Sequence, residues 1–264
     1  MAYNIKEYRI ILPMTLEQYR IAQLFTVAEV SKDVTGAGEG VEILKNEPYV
    51  KGDEKGQYTQ KMYHLETNPN IPTIIKKIAP KGMLKLKEES WNDFPKYTSV
   101  MTNGWMGENL EISVESLHFQ DDGKQDNVHK LPADQWKKTE VVTIDIVNDE
   151  ISTSHYKPEH DPAKLDYEIE GRGKLGANWI NDCKKNGVPM MCCYKLIKCK
   201  CKWFMIGSAV EKVIHEQLRK IFLLFHRQLY CSMKDWHGKT LQDIRQLEDK
   251  TTKDLEDLRL TKAE

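Results

Sequence analysis

Between residues 57 and 147 the chain repeats one pattern, a short run whose side chains alternate in character with period two. "QYTQKMYHL" (57–65), "KYTSVMT" (96–102), "NLEISVESL" (109–117) and "TEVVTIDIV" (139–147) all have it. Alternation of this kind belongs to strands, because successive side chains point to opposite faces of a sheet. Brief helical pieces, "IPTIIKKIAP" (71–80) and "LPADQWKK" (131–138), interrupt the runs. The long helical patterns come only later. Strands first and long helices afterwards predict the α+β class with a mostly antiparallel sheet. With 264 residues, 40% of them apolar, one sizeable core is within reach, and 1–264 is expected to be a single domain.

The helices have recognisable starts. A first strand over Glu7 to Leu12 runs into Pro13, after which Thr15 and Gln18 make a capping box for a helix extending to about Val30. "TGAGEG" (35–40) neither follows a strand nor ends in Gly-Lys-Ser/Thr, so it is read as a turn. Pro, Gly and charge crowd residues 155–190, which are read as long loops. The strand "CCYKLIKCKCK" (192–202) then leads to a helix from Ser208. Ser208 and Glu211 suggest a second capping box there, and Val210, Ile214, Leu218, Ile221, Phe225 and Leu229 a helical apolar stripe. A last helix, Thr240 to Leu258, carries a thinner stripe of Ile244, Leu247, Leu255 and Leu258 and is expected to cover something.

Several function classes are excluded. A net charge of -1 and a pI near 6.7 provide no basic field for nucleic acid. The apolar runs fall well short of the roughly 20 residues that cross a bilayer, and "MAYNIKEYRIILP" lacks the features of a signal peptide, so a cytoplasmic protein is expected. Cysteines 183, 192, 193, 199, 201 and 231 have no disulfide-framework spacing and are expected to be thiols. Without a paired Cys-x-x-Cys they do not read as a zinc site. "HEQLR" (215–219) has Arg219 where a zinc protease needs its second histidine, and no Gly-x-Ser-x-Gly elbow occurs. No enzyme and no cofactor are expected.

Two stretches resist the ordinary reading. In 57–65 alternation puts Thr59, Lys61 and Tyr63 on one face and Tyr58, Gln60 and Met62 on the other, and neither face is cleanly apolar. This is either an edge strand or a cavity wall facing a hydroxylated or anionic ligand. In "KCKCKWFMIG" (198–207), Ile197, Cys199, Cys201 and Trp203 share one face while Lys198, Lys200 and Lys202 share the other. A core strand with a basic outer face accounts for that much. It does not account for Phe204, Met205 and Ile206, which continue past the end of alternation.

"GEGVEILKNEPY", "EKGQYTQKMYHL", "NVHKL", "DPAK", "GRGKLGANW", "YKLIKCKCKW" and "FHRQLYCSMKDW" closely resemble, in order and spacing, the class I phosphatidylinositol transfer proteins, and the resemblance covers essentially the whole chain. It implies one START-like helix-grip domain, in which a concave antiparallel sheet and long helices enclose a single phosphatidylinositol or phosphatidylcholine, carried between membranes unchanged. Thr59, Lys61, Asn92 and Glu248 then correspond to the inositol-binding residues. Gln23, Ser99, Ser116 and Lys195 correspond to the polar set near the phosphate, and Phe225 to an aromatic near the headgroup. Trp203, Phe204, Met205 and Ile206, with Lys198, Lys200 and Lys202 behind them, resemble a membrane-docking loop (203–207), and 240–264 a lid helix and tail. A monomer in the loaded state and transient contact with Golgi- or ER-type membranes are implied as well.

The chain departs from that family in places. Phe204 stands for the second of two adjacent tryptophans, Tyr97 for a cavity cysteine, and Ser99 and Ser116 for threonines. Residues 156–206 contain no Ser or Thr, and Tyr167 stands near the family's phosphorylated serine, so phosphoserine control of the 155–190 region is not expected. The rival readings are a sensor that presents lipid to phosphoinositide kinases, a carrier of phosphatidic acid, and a phospholipid hydrolase, which lacks a recognisable nucleophile and base.

Overall fold

The alternating runs fold as strands. The computed structural model of the protein describes residues 3–33, 35, 40–52, 54–65, 77, 82–203 and 205–260. β1 (Asn4–Leu12) leads into α1 (Leu16–Asp33), followed by β2 (Gly40–Lys51), β3 (Glu54–His64), β4 (Lys85–Asp93), β5 (Lys96–Asn103) and β6 (Gly107–Phe119). A short α2 (Ala133–Trp136), β7 (Glu140–Ile144), α3 (Trp179–Lys185) and β8 (Met191–Cys201) come next. The chain ends with α4 (Gly207–Cys231), α5 (Met233–Trp236) and α6 (Leu241–Leu260). The strands form one sheet in the order β2-β3-β4-β5-β6-β8-β1-β7, antiparallel except where β7 pairs with β1. This is the expected α+β arrangement. Phe204, most of the helical piece at 71–80, most of the turn at 35–40 and tail residues 261–264 lie outside the described residues.

One expected cap forms and the other does not. Thr15 N–H donates to Gln18 Oε1 at 3.0 Å and Gln18 N–H to Thr15 Oγ1 at 3.2 Å, the reciprocal pair of a capping box. At the start of α4, however, no side chain caps the helix. Glu211 instead accepts the Cys201 N–H at 2.8 Å and ties the first turn of α4 to the end of β8. Gly207 permits this approach, since a Cβ there would lie 2.2 Å from the Cys201 carbonyl oxygen.

The buried face of α4 is broader than the expected stripe. Of that stripe Leu229 is buried, Val210, Ile214, Leu218 and Phe225 pack half-buried against the apolar clusters and Ile221 is 53% exposed, while His215, Phe222, Leu223, His226 and Tyr230 are buried as well. Both ring nitrogens of His226 are engaged, whereas His215 Nε2 has no hydrogen-bond partner among the described residues. The Tyr8 hydroxyl donates to the His215 carbonyl at 3.1 Å, and Tyr19 Oη lies 3.2 Å from His226 Nε2. The apolar stripe is left only half covered by the protein's own side chains.

Antiparallel partners share a face, so the strand register defines what lies on it. One rung reads Gln57, Asn92, Tyr97, Ser116, Lys195 and Tyr8; the next Thr59, Ser90, Ser99, Val114, Ile197 and Lys6; the next Lys61, Glu88, Met101, Ile112, Cys199 and Asn4. Helices cover this face. Phe222 of α4 packs 5.5 Å from the Tyr8 ring, and Tyr19 of α1 reaches Cys193 of β8.

Gly56 sets how closely β3 and β4 approach, because a Cβ there would meet the Asn92 carbonyl oxygen at 2.1 Å. Backbone cannot swing aside as a side chain can. Gly56→Ala is therefore expected to destabilise the protein by about 1–3 kcal/mol in urea unfolding. A wild-type midpoint would contradict this packing.

Candidate functional site

Thr59, Lys61, Asn92, Ser99, Ser116 and Lys195 all fall on the helix-covered face within those neighbouring rungs. Lys195 Nζ donates to Ser116 Oγ at 3.3 Å and sits 5.2 Å from the centre of the Phe222 ring. The Thr59 hydroxyl donates to Asn46 Oδ1 at 3.2 Å. Gln23 lies one turn beyond Tyr19 on α1, above the same face. Phe225 is half-buried beside His226, and it is Phe222, not Phe225, that meets Lys195. Glu248 lies with buried Ile244, Thr251 and Leu255 on one side of α6, which packs along α1 and reaches β2. Its carboxylate is engaged by Arg245 of its own helix.

Glu88 was not singled out from the sequence. It is 4% exposed, directly opposite Lys61, and accepts the Tyr63 hydroxyl at 2.7 Å and the Tyr97 hydroxyl at 3.1 Å. Burial first, and then the Glu88 charge, push both phenols above their ordinary pKa. Tyr97 thus completes a carboxylate cluster as well as filling space. Counting back in twos from Asn92 along "KLKEESWND" would have found Glu88, since Leu86, Glu88, Ser90 and Asn92 share a face.

Some polar atoms at this site have nothing to bond. Gln23 Oε1, Asn92 Oδ1 and Ser99 Oγ are buried without a hydrogen-bond partner among the described residues, as are Gln217 Oε1 on α4 and Thr251 Oγ1 on α6. Each such atom costs about 1–3 kcal/mol. The amide oxygens of Gln23 and Asn92 only accept, so what completes them must donate, as a hydroxyl does.

Away from this polar region the face becomes apolar. Met83, Met106, Leu110 and Cys201 form a buried cluster joined by Trp203, Val210 and Ile214. Met205, 88% exposed, adopts φ +62°, a left-handed conformation uncommon for such a residue, and Ile206 is half-buried. The basic row is partly occupied: Lys200 lies 3.7 Å from Glu111 and over the Tyr3 ring, Lys198 is half-buried, and Lys202 is exposed. Trp105, which the sequence reading missed, is 53% exposed with its ring centre 6.5 Å from that of Trp203. Asn103 builds its turn by donating to the Met83 and Lys85 carbonyls, both at 2.7 Å, and accepting from Trp105 N–H and Met106 N–H. Met106 is thereby turned in and Trp105 out. No helix among the described residues is long and apolar enough to cross a membrane.

A mostly antiparallel sheet with polar rungs on its helix-covered face and an exposed aromatic tip defines an α+β domain. Comparison with known proteins specifies the class. Residues 3–253 match the family described as "Phosphatidylinositol transfer protein", and the chain belongs to it. It is 44% identical to the phosphatidylinositol transfer protein beta isoform of Bos taurus, over 97% of this chain and 94% of the relative. Phosphatidylinositol transfer protein 1 of Dictyostelium discoideum is 38% identical over 95% and 94%. Membrane-associated phosphatidylinositol transfer protein 2 of Mus musculus is 41% identical over 92% of this chain, which spans 18% of that larger protein.

If the unpartnered atoms are kept for a ligand, removing one should help the empty protein and harm the loaded one. Ser99→Ala is expected to stabilise lipid-stripped protein by up to about 1 kcal/mol in thermal melts while lowering lipid retention. Destabilisation of the stripped protein would show that the hydroxyl serves the fold.

Proposed function

We propose that the protein binds one phosphatidylinositol or phosphatidylcholine molecule between the sheet and helices α1, α4 and α6 and moves it between membranes unchanged. The observation that carries this reading is the group of buried, unpartnered polar atoms on Gln23, Asn92 and Ser99. Thr59, Lys61, Asn92 and Glu248, joined by Glu88, supply the donors and acceptors that a polyhydroxyl ring needs once water is excluded. Ser99, Ser116, Lys195 and the amide NH2 of Gln23 donate to the phosphate, with Phe225 close by, while Gln23 Oε1 is left to accept from a ring hydroxyl. Choline has no hydroxyls to offer, so it depends little on Lys61 or Asn92.

The acyl chains dictate the rest. A two-chain phospholipid holds on the order of 30 methylenes, which at roughly 0.8 kcal/mol each would cost on the order of 25 kcal/mol in water. The carrier must stay closed in transit and open only against a bilayer. Trp203, Phe204, Met205 and Ile206, together with Trp105, form the docking tip; full burial contributes about 1.5–3 kcal/mol per large apolar side chain, and partial insertion less. Exposed Lys202 adds about 1 kcal/mol near an anionic leaflet, Lys198 and Lys200 less where they are already paired or covered. Such docking is reversible, as a shuttle requires. Helix α6 closes the space and couples closure to headgroup seating through Glu248.

The test is transfer of labelled phosphatidylinositol and phosphatidylcholine between vesicles. Lys61→Ala is expected to lose inositol-lipid transfer at least tenfold and keep choline-lipid transfer, whereas Trp105→Ala slows both without releasing bound lipid. Chain truncated after Lys239 should lose its lipid on gel filtration. Wild-type protein that moves neither lipid refutes the reading, and binding without transfer makes it a lipid sensor.

A further inference from the structure

One rung beyond Lys195, the helix-covered face carries His118, Cys193 and Ile10 directly opposite one another. His118 Nδ1 lies 2.7 Å from the Pro95 carbonyl and so carries the proton, which leaves Nε2 with the lone pair in the neutral ring. That Nε2 is buried without a hydrogen-bond partner among the described residues. The ring is held between Phe94 at 5.4 Å and Tyr19 at 4.9 Å. His226 repeats the arrangement: its Nδ1 donates to the Phe222 carbonyl at 2.7 Å, and its Nε2 accepts the Tyr19 hydroxyl, which is 3.7 Å from Cys193 Sγ. A thiol, a phenol and two imidazoles thus converge, with each ring's tautomer fixed by a backbone carbonyl.

The other cysteines are explained as small buried apolar groups. Burial raises the pKa of Cys183 and Cys192 and pushes Cys201 up to about 11 and Cys199 and Cys231 up to about 12. Cys193 differs. Burial acts in the same direction there, but His118 and Lys195 outweigh it and hold the thiol well below its ordinary value. A nucleophile facing a base, with the base oriented by a third group, is the arrangement that activates a thiol.

We propose that Cys193 is a nucleophilic thiol at the headgroup end of the lipid space, with His118 as its base, that adds to soft electrophiles of the α,β-unsaturated carbonyl class. The thiol proton passes to His118 Nε2 as sulfur bonds to the β-carbon. The π pair moves onto the enolate, and the α-carbon then takes the proton back. Nothing leaves, and no oxidant is needed. The adduct lies within two residues of Lys195 and Ser116, so it obstructs the headgroup seat. That consequence rests on the carrier reading; the reactivity does not. A seated lipid shields the thiol, and opening at a membrane exposes it.

The test treats the full chain with N-ethylmaleimide, with and without phosphatidylcholine vesicles, and maps the adducts on every cysteine by peptide mass spectrometry. Cys193 is expected to react at least tenfold faster than any other cysteine, and faster still with vesicles. His118→Phe, which keeps the aromatic stack, slows labelling at least tenfold with an unchanged melting temperature. Cys193→Ser transfers lipid and is insensitive to the reagent. Even labelling of all the cysteines, or equal inhibition of Cys193→Ser and wild type, overturns the proposal. Wild type that labels at Cys193 but moves no phospholipid supports the thiol and refutes the carrier. Transfer by wild type whose Cys193 stays unlabelled does the reverse.

Discussion

A polar rung on the helix-covered face of a sheet is stable only if something answers its hydrogen bonds. Here the protein answers some and leaves others open. Tyr63 and Tyr97 saturate much of Glu88, Asn46 takes the Thr59 hydroxyl, and Ser116 accepts from Lys195. Gln23, Asn92 and Ser99 keep buried atoms without partners among the described residues. A ligand that supplies the missing partners recovers the free energy which the empty fold gives up. Other features of the site, the close approach at Gly56 and the helices laid over the sheet, serve to hold those rungs in place and dry.

The same face changes character along the strands. Asn92, Ser116 and Lys195 give way to Met101, Ile112 and Cys199, and then to the cluster of Met83, Met106 and Leu110 beneath Trp203. An amphiphile with a polar end and long apolar chains matches that gradient in one orientation only. Two separate loops meet at the apolar end. Asn103 fixes one of them and the Glu211 contact to Cys201 fixes the other, while Lys202 N–H donates to the Asn109 carbonyl at 2.7 Å between them. Trp105 and Met205 therefore project from a braced platform.

Period-two alternation made most of the sheet legible, and Thr15 with Gln18 marked the start of α1. β4 was not legible, because "KLKEESWND" has charged and polar residues on both faces; yet its inner face carries Glu88 and Asn92 beneath the helices. The face of α4 was legible only in part, for a related reason. Sequence hydrophobicity pointed to Ile214, Leu218 and Phe225, which do pack against the core, but offered no sign of the buried His215 and His226, whose contacts to tyrosines become visible only in three dimensions. Glu211 read as a cap partner for Ser208 and proved to be a tie to β8. The candidate site came from resemblance to a family more than from pattern, since polar residues at intervals of two describe a solvated strand equally well.

The central claim is that the open hydrogen bonds of the sheet are filled by one phospholipid headgroup. Native mass spectrometry of the chain purified in the presence of mixed phospholipid vesicles tests it most directly. The account predicts a single species heavier than the bare chain by one phosphatidylinositol or phosphatidylcholine, with the inositol-lipid form diminished in Asn92→Ala. A bare chain, or several lipids lost together on mild activation, would contradict it.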